Sequence, residues 1–487
     1  MSVVPSTAAE IAQTLDLAQD AATVWGAYAP ARRAEVLEAI ADALDAAADR
    51  LIPVAVAETN LTTDRLSGEL KRTTFQLRIF GEVLREGGFF DARIDHADAD
   101  WPMGAPRPDV RRTLIPLGPV AVFSASNFPF AFSVAGGDTA SALAAGNPVI
   151  VKAHSGHPEL SALTGEIAAE AIAGQGAPAG LLSVVYGTQA GVTVLQDPRI
   201  KAGAFTGSIP GGRALFDIAV SRPEPIPFYG ELGSDNPVFV TKAAAGERAE
   251  EIVDGFIGSF TGSAGQLCTK PGMLIVPRES TIVELLRTKS YPPAAALLNG
   301  RIQDGYVAAL TALQNHADVR VLHQDADAYA DPPTPTLLHT DSAAVLADPA
   351  TLQEECFGPA SLIVEYDDES ELVELAATFA GQLTSSIQGT DDDEVTELVA
   401  VLSRIAGRVL WNQWSTGLSV TYAQQHGGPY PATTAVTTTS VGTAAIERFL
   451  RPVAYQGFPD RLLPEQLRED NPLHVPRRVD GELSARG

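Results

Sequence analysis

From residue 117 to 219 the chain alternates short runs of β-branched and aromatic residues with longer segments of helical periodicity, and this alternation limits the fold more than any other feature. Val120-Ala121-Val122-Phe123, Val149-Ile150-Val151-Lys152, Leu182-Ser183-Val184-Val185-Tyr186 and Ala202-Gly203-Ala204-Phe205 read as buried strands. Residues 132–145, 158–173, 189–196 and 211–219 read as the helices that follow them, with Gly146-Asn147-Pro148 and Gly174 as stops. Strands separated by helices run parallel under helical cover. Ligands of such sheets sit at the carboxyl ends of the strands.

A second α/β set starts at Glu231, with strands at 237–240, 273–276 and 361–365 and a helix at 247–262. Residues 7–58 and 59–86 have helical spacing. Residues 91–116 alternate around Pro102, Pro106 and Pro108, the pattern of a hairpin-like excursion with a long loop. Such strands need a partner edge, often in another subunit. The tail from Ser440 reads as a helix (443–450), a strand-like 452–456 and a polar, proline-rich end.

The 487 residues leave room for more than one domain, and 45% apolar content fits a globular chain. Two cysteines, Cys268 and Cys356, cannot build a disulfide framework, so a reducing compartment is expected. No secretion signal or membrane-length apolar run is read, and the cytoplasm is the expected location. A net charge of −26 argues against nucleic acid and anionic membranes; an anionic ligand would need a local positive site.

The segment Phe260-Thr261-Gly262-Ser263-Ala264-Gly265-Gln266-Leu267-Cys268-Thr269-Lys270-Pro271-Gly272 places a thiol among small residues, where other groups can approach the sulfur. A lone cysteine is a candidate nucleophile, although a buried structural role is commoner. Asn127, in Ser126-Asn127-Phe128-Pro129-Phe130, can donate to an oxyanion, although Asn more often serves a turn. Lys152 ends a strand where a cation suits ribose hydroxyls or phosphate. His154 and His157 lack a third ligand at metal spacing, so no metal is expected. Phe205-Thr206-Gly207-Ser208-Ile209-Pro210-Gly211-Gly212 offers a helix start to phosphate, without the standard dinucleotide fingerprint. Glu231, flanked by Gly230 and Gly233, could activate water; Glu355 could hold ribose hydroxyls and Phe357 could pack on a planar ring.

In this order and spacing, Asn127-Phe128-Pro129, Phe205-Thr206-Gly207-Ser208, Glu231-Leu232-Gly233, Gly265-Gln266-x-Cys268 and Glu355-x-Phe357-Gly358-Pro359 resemble the aldehyde dehydrogenase superfamily over nearly the whole chain. The resemblance implies an α/β fold with two parallel-sheet domains and a protruding oligomerisation hairpin. Residues 1–93 and 117–230 would bind cofactor, 231–435 would be catalytic, and 94–116 with 436–487 would form the hairpin and tail. It implies that Cys268, as thiolate, attacks an aldehyde carbon. Asn127 and the Cys268 N–H would hold the oxyanion, and Glu231 would activate the water that hydrolyses the thioester. A partial positive charge near the sulfur is expected to favour the thiolate. Lys152 resembles a ribose-binding lysine, Gly207 and Ser208 a pyrophosphate turn with Gly212 on the same helix start, and Glu355 and Phe357 nicotinamide-ribose contacts. NAD-preferring members often carry a glutamate where Ser155 stands. A hydroxyl can donate to a 2′-phosphate that a carboxylate would repel, so NADP is the preferred cofactor, with NAD second.

Val151-Lys152-Ala153-His154-Ser155-Gly156-His157-Pro158 and Gln425-His426-Gly427-Gly428-Pro429-Tyr430-Pro431-Ala432 resemble the branch that converts 2,5-dioxopentanoate to 2-oxoglutarate. Fatty aldehydes and succinate semialdehyde are the alternative substrates. Phe128 and Phe132 are expected to line an aldehyde tunnel with Tyr422 and His426 near its mouth; the sequence names no secure carboxylate anchor. Rival readings are an inactive nucleotide-binding protein and acyl transfer to coenzyme A, the second disfavoured by Glu231. A homodimer or homotetramer is expected.

Overall fold

The computed structural model describes residues 3–325 and 327–484. It opens with helices α1 (Ala8–Gly26), α2 (Pro30–Ala46), α3 (Ala48–Thr59) and α4 (Thr63–Glu86). In α4, Thr62 caps the start by accepting from the Arg65 N–H at 3.3 Å, no proline intervenes, and Gly87 ends the helix at φ +83°. Arg65, Glu69 and Arg72 recur along α4 at spacings of four and three, so they share one face.

Strands β1 (Ala92–Asp95) and β2 (Val110–Pro116) pair antiparallel as the excursion. Then come β3 (Val120–Phe123), α5 (Gly137–Ala145), β4 (Val149–Lys152), α6 (Pro158–Gly174), β5 (Leu182–Val185), α7 (Thr188–Gln196), β6 (Ala202–Thr206), α8 (Ile209–Val220) and β7 (Phe228–Glu231). Their five strands form a parallel sheet in the order β5-β4-β3-β6-β7. The register sets Lys152 beside Phe123, Phe123 beside Phe205, and Thr206 beside Glu231, so these residues share the carboxyl edge of the sheet.

The second sheet holds β8 (Val238–Val240), β9 (Met273–Pro277), β10 (Arg320–Gln324), β11 (Thr336–Asp341), β12 (Ala360–Tyr366), β13 (Gln382–Gln388) and β14 (Ala406–Trp411), with helix α9 (Lys242–Thr261) between β8 and β9. Its order is β10-β11-β12-β9-β8-β13-β14, parallel except for β10 against β11. A third sheet adds β15 (Leu450–Gln456), β16 (Arg477–Val479) and β17 (Glu482–Ser484) to the excursion, in the order β15-β2-β1-β16-β17. Both faces of β8 and β9 are buried, which explains their unbroken apolar runs.

The structure departs from the sequence reading at two places. The helix expected from Phe132 starts at Gly137, because the Ala125 N–H donates to Phe132 O at 2.9 Å and closes a loop. Glu69 Oε1 accepts from the Phe130 and Ala131 N–H groups of that loop at 2.8 and 2.9 Å. The polar, proline-rich end, to which the sequence reading assigns no strand, supplies β16, which lies parallel to β1, and β17. Three-residue strands carry too little periodicity to be read from sequence.

Candidate active site

Residues 232–237 carry the chain from β7 into β8, every one of them buried. Gln382 Oε1 holds this link by accepting from Ser234 Oγ, the Asp235 N–H and the Asn236 N–H, each at 2.9 Å. Asn236 in turn donates through Nδ2 to Cys268 O at 2.9 Å and Lys270 O at 3.0 Å. Lys270, fully buried, donates through Nζ to Cys356 O at 2.9 Å and Ala360 O at 2.6 Å. The cysteine loop is thereby tied to both β8 and β12. Its approach bends through Ser263, Ala264 and Gly265 at φ +52°, +53° and +69°. At Gly265 a side chain has no room, since a Cβ would stand 2.0 Å from Gly358 O.

Cys268 is partly exposed, and its Sγ lies 3.6 Å from His426 Nε2. That same nitrogen lies 2.7 Å from Glu231 Oε1, while Ser440 Oγ donates to Glu231 Oε2 at 2.5 Å. Burial alone would raise the Glu231 pKa. His426, Ser440 and Cys268 overcome it and hold the carboxylate below its usual range. An ionised Glu231 can only accept, so Nε2 carries the imidazole proton. His426 Nδ1 is buried and unpartnered. Asn127 Nδ2 donates to Gln266 O at 3.0 Å, two residues before Cys268.

The thiol does not follow the expected direction. Burial first, then the Glu231 and Glu355 carboxylates, push Cys268 well above the ordinary thiol value, and Arg72 only partly opposes them. The site as it stands therefore disfavours the thiolate. Glu231 is the carboxylate beside the thiol, and His426 Nε2 contacts both groups. The ligand atoms of Glu231, Cys268 and His426 lie within 4.8 Å of one another.

The residues assigned to cofactor border the same edge. Gly207 and Ser208 are exposed at the start of α8, and Ser208 Oγ accepts from the Gly211 N–H at 3.4 Å. A Cβ on Gly212 would stand 2.1 Å from Leu232 Cδ2, and one on Gly233 would stand 2.4 Å from Glu355 Oε2 and 3.3 Å from Ile209 Cγ1. These glycines keep α8, the link and Glu355 in direct apposition. Lys152 is half-buried, with its ammonium pulled down by burial and by the Arg301 guanidinium; Ser155 is exposed in the following turn. Burial pushes Glu355 up to about 7, with Lys270 opposing and Asp235 adding to the rise. Phe357 is half-buried. The residues present fit a dinucleotide: exposed helix N–H groups for pyrophosphate, and a cation and hydroxyl for ribose or its phosphate.

Beside Cys268 lies a cavity of about 310 Å³ lined by Phe128 and Phe132, whose ring centroids are 5.4 Å apart, and by Leu418, Arg65 and Arg72. The two arginines were missed in the sequence reading. Their signal was a seven-residue spacing on one helix, which says nothing about where that helix packs. His426 is fully buried between Cys268 and Glu231 instead of lying at a mouth, because Thr439 Oγ1 accepts from its N–H at 2.8 Å and its carbonyl accepts from the Ser440 N–H at 2.8 Å. Tyr422 is 59% exposed and does not line the cavity.

A sulfur, a carboxylate and an amide beside the carboxyl edge of a parallel sheet suit covalent chemistry on sulfur in a nucleotide-dependent enzyme. The profile of the aldehyde dehydrogenase family matches residues 1–328 and 332–451, and the chain belongs to that family, as an NAD(P)-dependent aldehyde oxidoreductase. The chain is 46% identical over 486 residues to α-ketoglutaric semialdehyde dehydrogenase 2 of Azospirillum brasilense, covering 97% of this chain and 92% of the relative. It is 42% identical over 460 residues to the α-ketoglutaric semialdehyde dehydrogenase of Acinetobacter baylyi, covering 93% and 87%. The solved γ-glutamyl-γ-aminobutyraldehyde dehydrogenase of Burkholderia cenocepacia superimposes with a TM-score of 0.80 at 21% identity, covering 94% of this chain and 90% of that one.

Two outcomes are expected. Gly265→Ala loses about 2–3 kcal/mol of stability through strain and backbone overlap, read as a lower Tm in a thermal ramp. Iodoacetamide labelling of Cys268, followed by mass spectrometry against pH without cofactor, turns on above the ordinary thiol value of about 8.5. Glu231→Gln removes a negative charge that raises the thiol, so its labelling midpoint moves down. Cys356, buried and pushed up to about 12, stays unlabelled at the pH values used.

Proposed function

We propose that this enzyme oxidises 2,5-dioxopentanoate to 2-oxoglutarate with NADP. The observation that carries the reading is Arg72, which lines the cavity beside Cys268 and has two buried, unpartnered guanidinium nitrogens, in a chain otherwise strongly acidic. An alkyl chain would leave those nitrogens unsatisfied, at a cost of about 1–3 kcal/mol or more, whereas a carboxylate would pair with them. The two α-ketoglutaric semialdehyde dehydrogenases above support the same substrate.

In this mechanism Glu231 takes the Cys268 proton as sulfur attacks the aldehyde carbon. The Cys268 N–H and the Nδ2 hydrogen of Asn127 not used on Gln266 hold the oxyanion; such a donor is worth about 3 kcal/mol of barrier. NADP, when bound, supplies the hydride acceptor. Lys152, Ser155, Gly207, Ser208, Gly212, Glu355 and Phe357 would hold it. After the proton taken from Cys268 has passed to solvent, Glu231 deprotonates the water that attacks the thioester; the C–S bond breaks, the carboxylate leaves and Cys268 is reprotonated, with His426 and Ser440 steadying the Glu231 carboxylate.

NADP over NAD is supported by the positive charges of Lys152 and Arg301, close enough for one to lower the other's pKa, and by Ser155 in place of a carboxylate. Free thiols at Cys268 and Cys356 suit the cytoplasm, and no described helix is long and apolar enough to cross a membrane. β14 and β15 are terminal strands of their sheets, which suits a homodimer or homotetramer.

The test is a kcat/KM panel of 2,5-dioxopentanoate, succinate semialdehyde, glutaraldehyde and long-chain aldehydes with both cofactors, with Cys268→Ala as the inactive control. The five-carbon keto acid with NADP is expected to lead, without coenzyme A. Ser155→Glu is expected to lower the NADP-to-NAD ratio of kcat/KM about 10- to 100-fold through like-charge repulsion. Light scattering at micromolar concentration is expected to give a dimer or tetramer mass, and a monomer would contradict the assembly.

A further inference from the structure

α4 carries Arg65 and Arg72 to the cavity with Glu69 on the same face between them, and the three are not equivalent. Glu69 is buried and fully engaged: Oε1 accepts from the Phe130 and Ala131 N–H groups, and Oε2 pairs with Arg65 Nη1. Arg65 is also engaged, donating from Nε to Ser263 Oγ at 3.1 Å and from Nη2 to Asn127 O at 3.3 Å. Its Cζ lies 4.5 Å from the Phe128 ring centroid. Arg65 thus links α4 to the cysteine loop and to Asn127, and it has little left to offer a ligand.

Arg72 differs. Its Cζ lies 5.5 Å from the Phe128 centroid and 5.4 Å from that of Phe132, so both rings hold the guanidinium in place. Yet Nε and Nη2 are buried without a hydrogen-bond partner, and no ion pair forms to Arg72 among the described residues. Glu69, the carboxylate nearest in sequence on its own face, is committed elsewhere. A buried guanidinium edge left unpaired is costly unless a ligand completes it. Nε and Nη2 are adjacent donors of the planar fork, the geometry that a carboxylate meets with two parallel bonds.

We propose that Arg72 is the specificity residue that binds the carboxylate end of the aldehyde substrate, through Nε and Nη2, while Phe128 and Phe132 fix its plane and Arg65 with Glu69 fix the helix behind it. This rests on the reading of the substrate as an aldehyde that also carries a carboxylate. Arg72 sets which aldehyde is held over Cys268 and takes no part in bond making.

The experiment compares wild type, Arg72→Met and Arg72→Lys with succinate semialdehyde and with butanal, its four-carbon uncharged counterpart, and measures the inhibition constant of glutarate, an unreactive dianion. Wild type should favour the acid. Arg72→Met should lower kcat/KM for the acid about 100-fold, mainly through KM, as expected for removing one partner of a buried charge pair. Butanal turnover should stay within a few-fold, glutarate inhibition should be lost, and Arg72→Lys should restore part of both. Equal losses with acid and butanal would show that Arg72 acts on the thiol or on the fold, and would overturn the proposal. So would an acid preference that survives in both variants. A wild type that favours butanal would instead overturn the substrate reading itself. An unchanged Tm in both variants separates these outcomes from misfolding, and Arg72→Lys keeps the positive charge that lowers the Cys268 thiol.

Discussion

Every functional group of this protein depends on how residues 232–237 pass from one sheet to the other. Glu231 ends β7 at the start of the link, and Asn236 near its far end holds the carbonyls on either side of Thr269. Gly233 between them touches Glu355 and the first residue of α8. One buried stretch therefore fixes the base relative to the sulfur, and both relative to the cofactor edge. Gln382 makes this possible, because its single carbonyl oxygen satisfies a hydroxyl and two backbone donors that burial would otherwise strand. Such a link cannot yield locally, so a small change there is felt at all three places at once.

Electrostatically the centre disfavours a standing thiolate. The same proximity that lets Glu231 reach the thiol also raises the thiol's pKa, since two negative charges disfavour each other. His426 and Ser440 favour the ionised carboxylate, so a charged Glu231 stands beside a thiol held in its neutral form. The arginines of α4 add positive charge on the cavity side in a chain whose net charge is −26. That local reversal of sign is what an anionic substrate needs here.

Much of this was legible in the residues. The alternation of strands and helices gave a parallel sheet, and the motifs around Asn127, Glu231, Cys268 and Glu355 are local enough to be seen as strings. Arg72 was not legible, because a charged side chain at helical spacing looks the same whether it faces solvent or a cavity. His426 was visible as a histidine after Gln425, but its burial against Glu231 depends on the return of residues 426–440 alongside β7, where Leu232 N–H donates to Ala432 O at 2.8 Å. The start of α5 was misplaced because a carboxylate from α4, some sixty residues earlier, takes the N–H groups of the loop before it.

The amino-acid order by itself determined the class of fold and the chemical types brought to the site, since hydrophobic period, glycine position and the choice of thiol, amide and carboxylate are properties of neighbouring residues. Only the tertiary structure decided which charges face one another. A pKa direction, a proton path from Cys268 to Glu231 and an unpaired guanidinium in a cavity all depend on distances between segments far apart in the chain, and on how completely water is excluded between them.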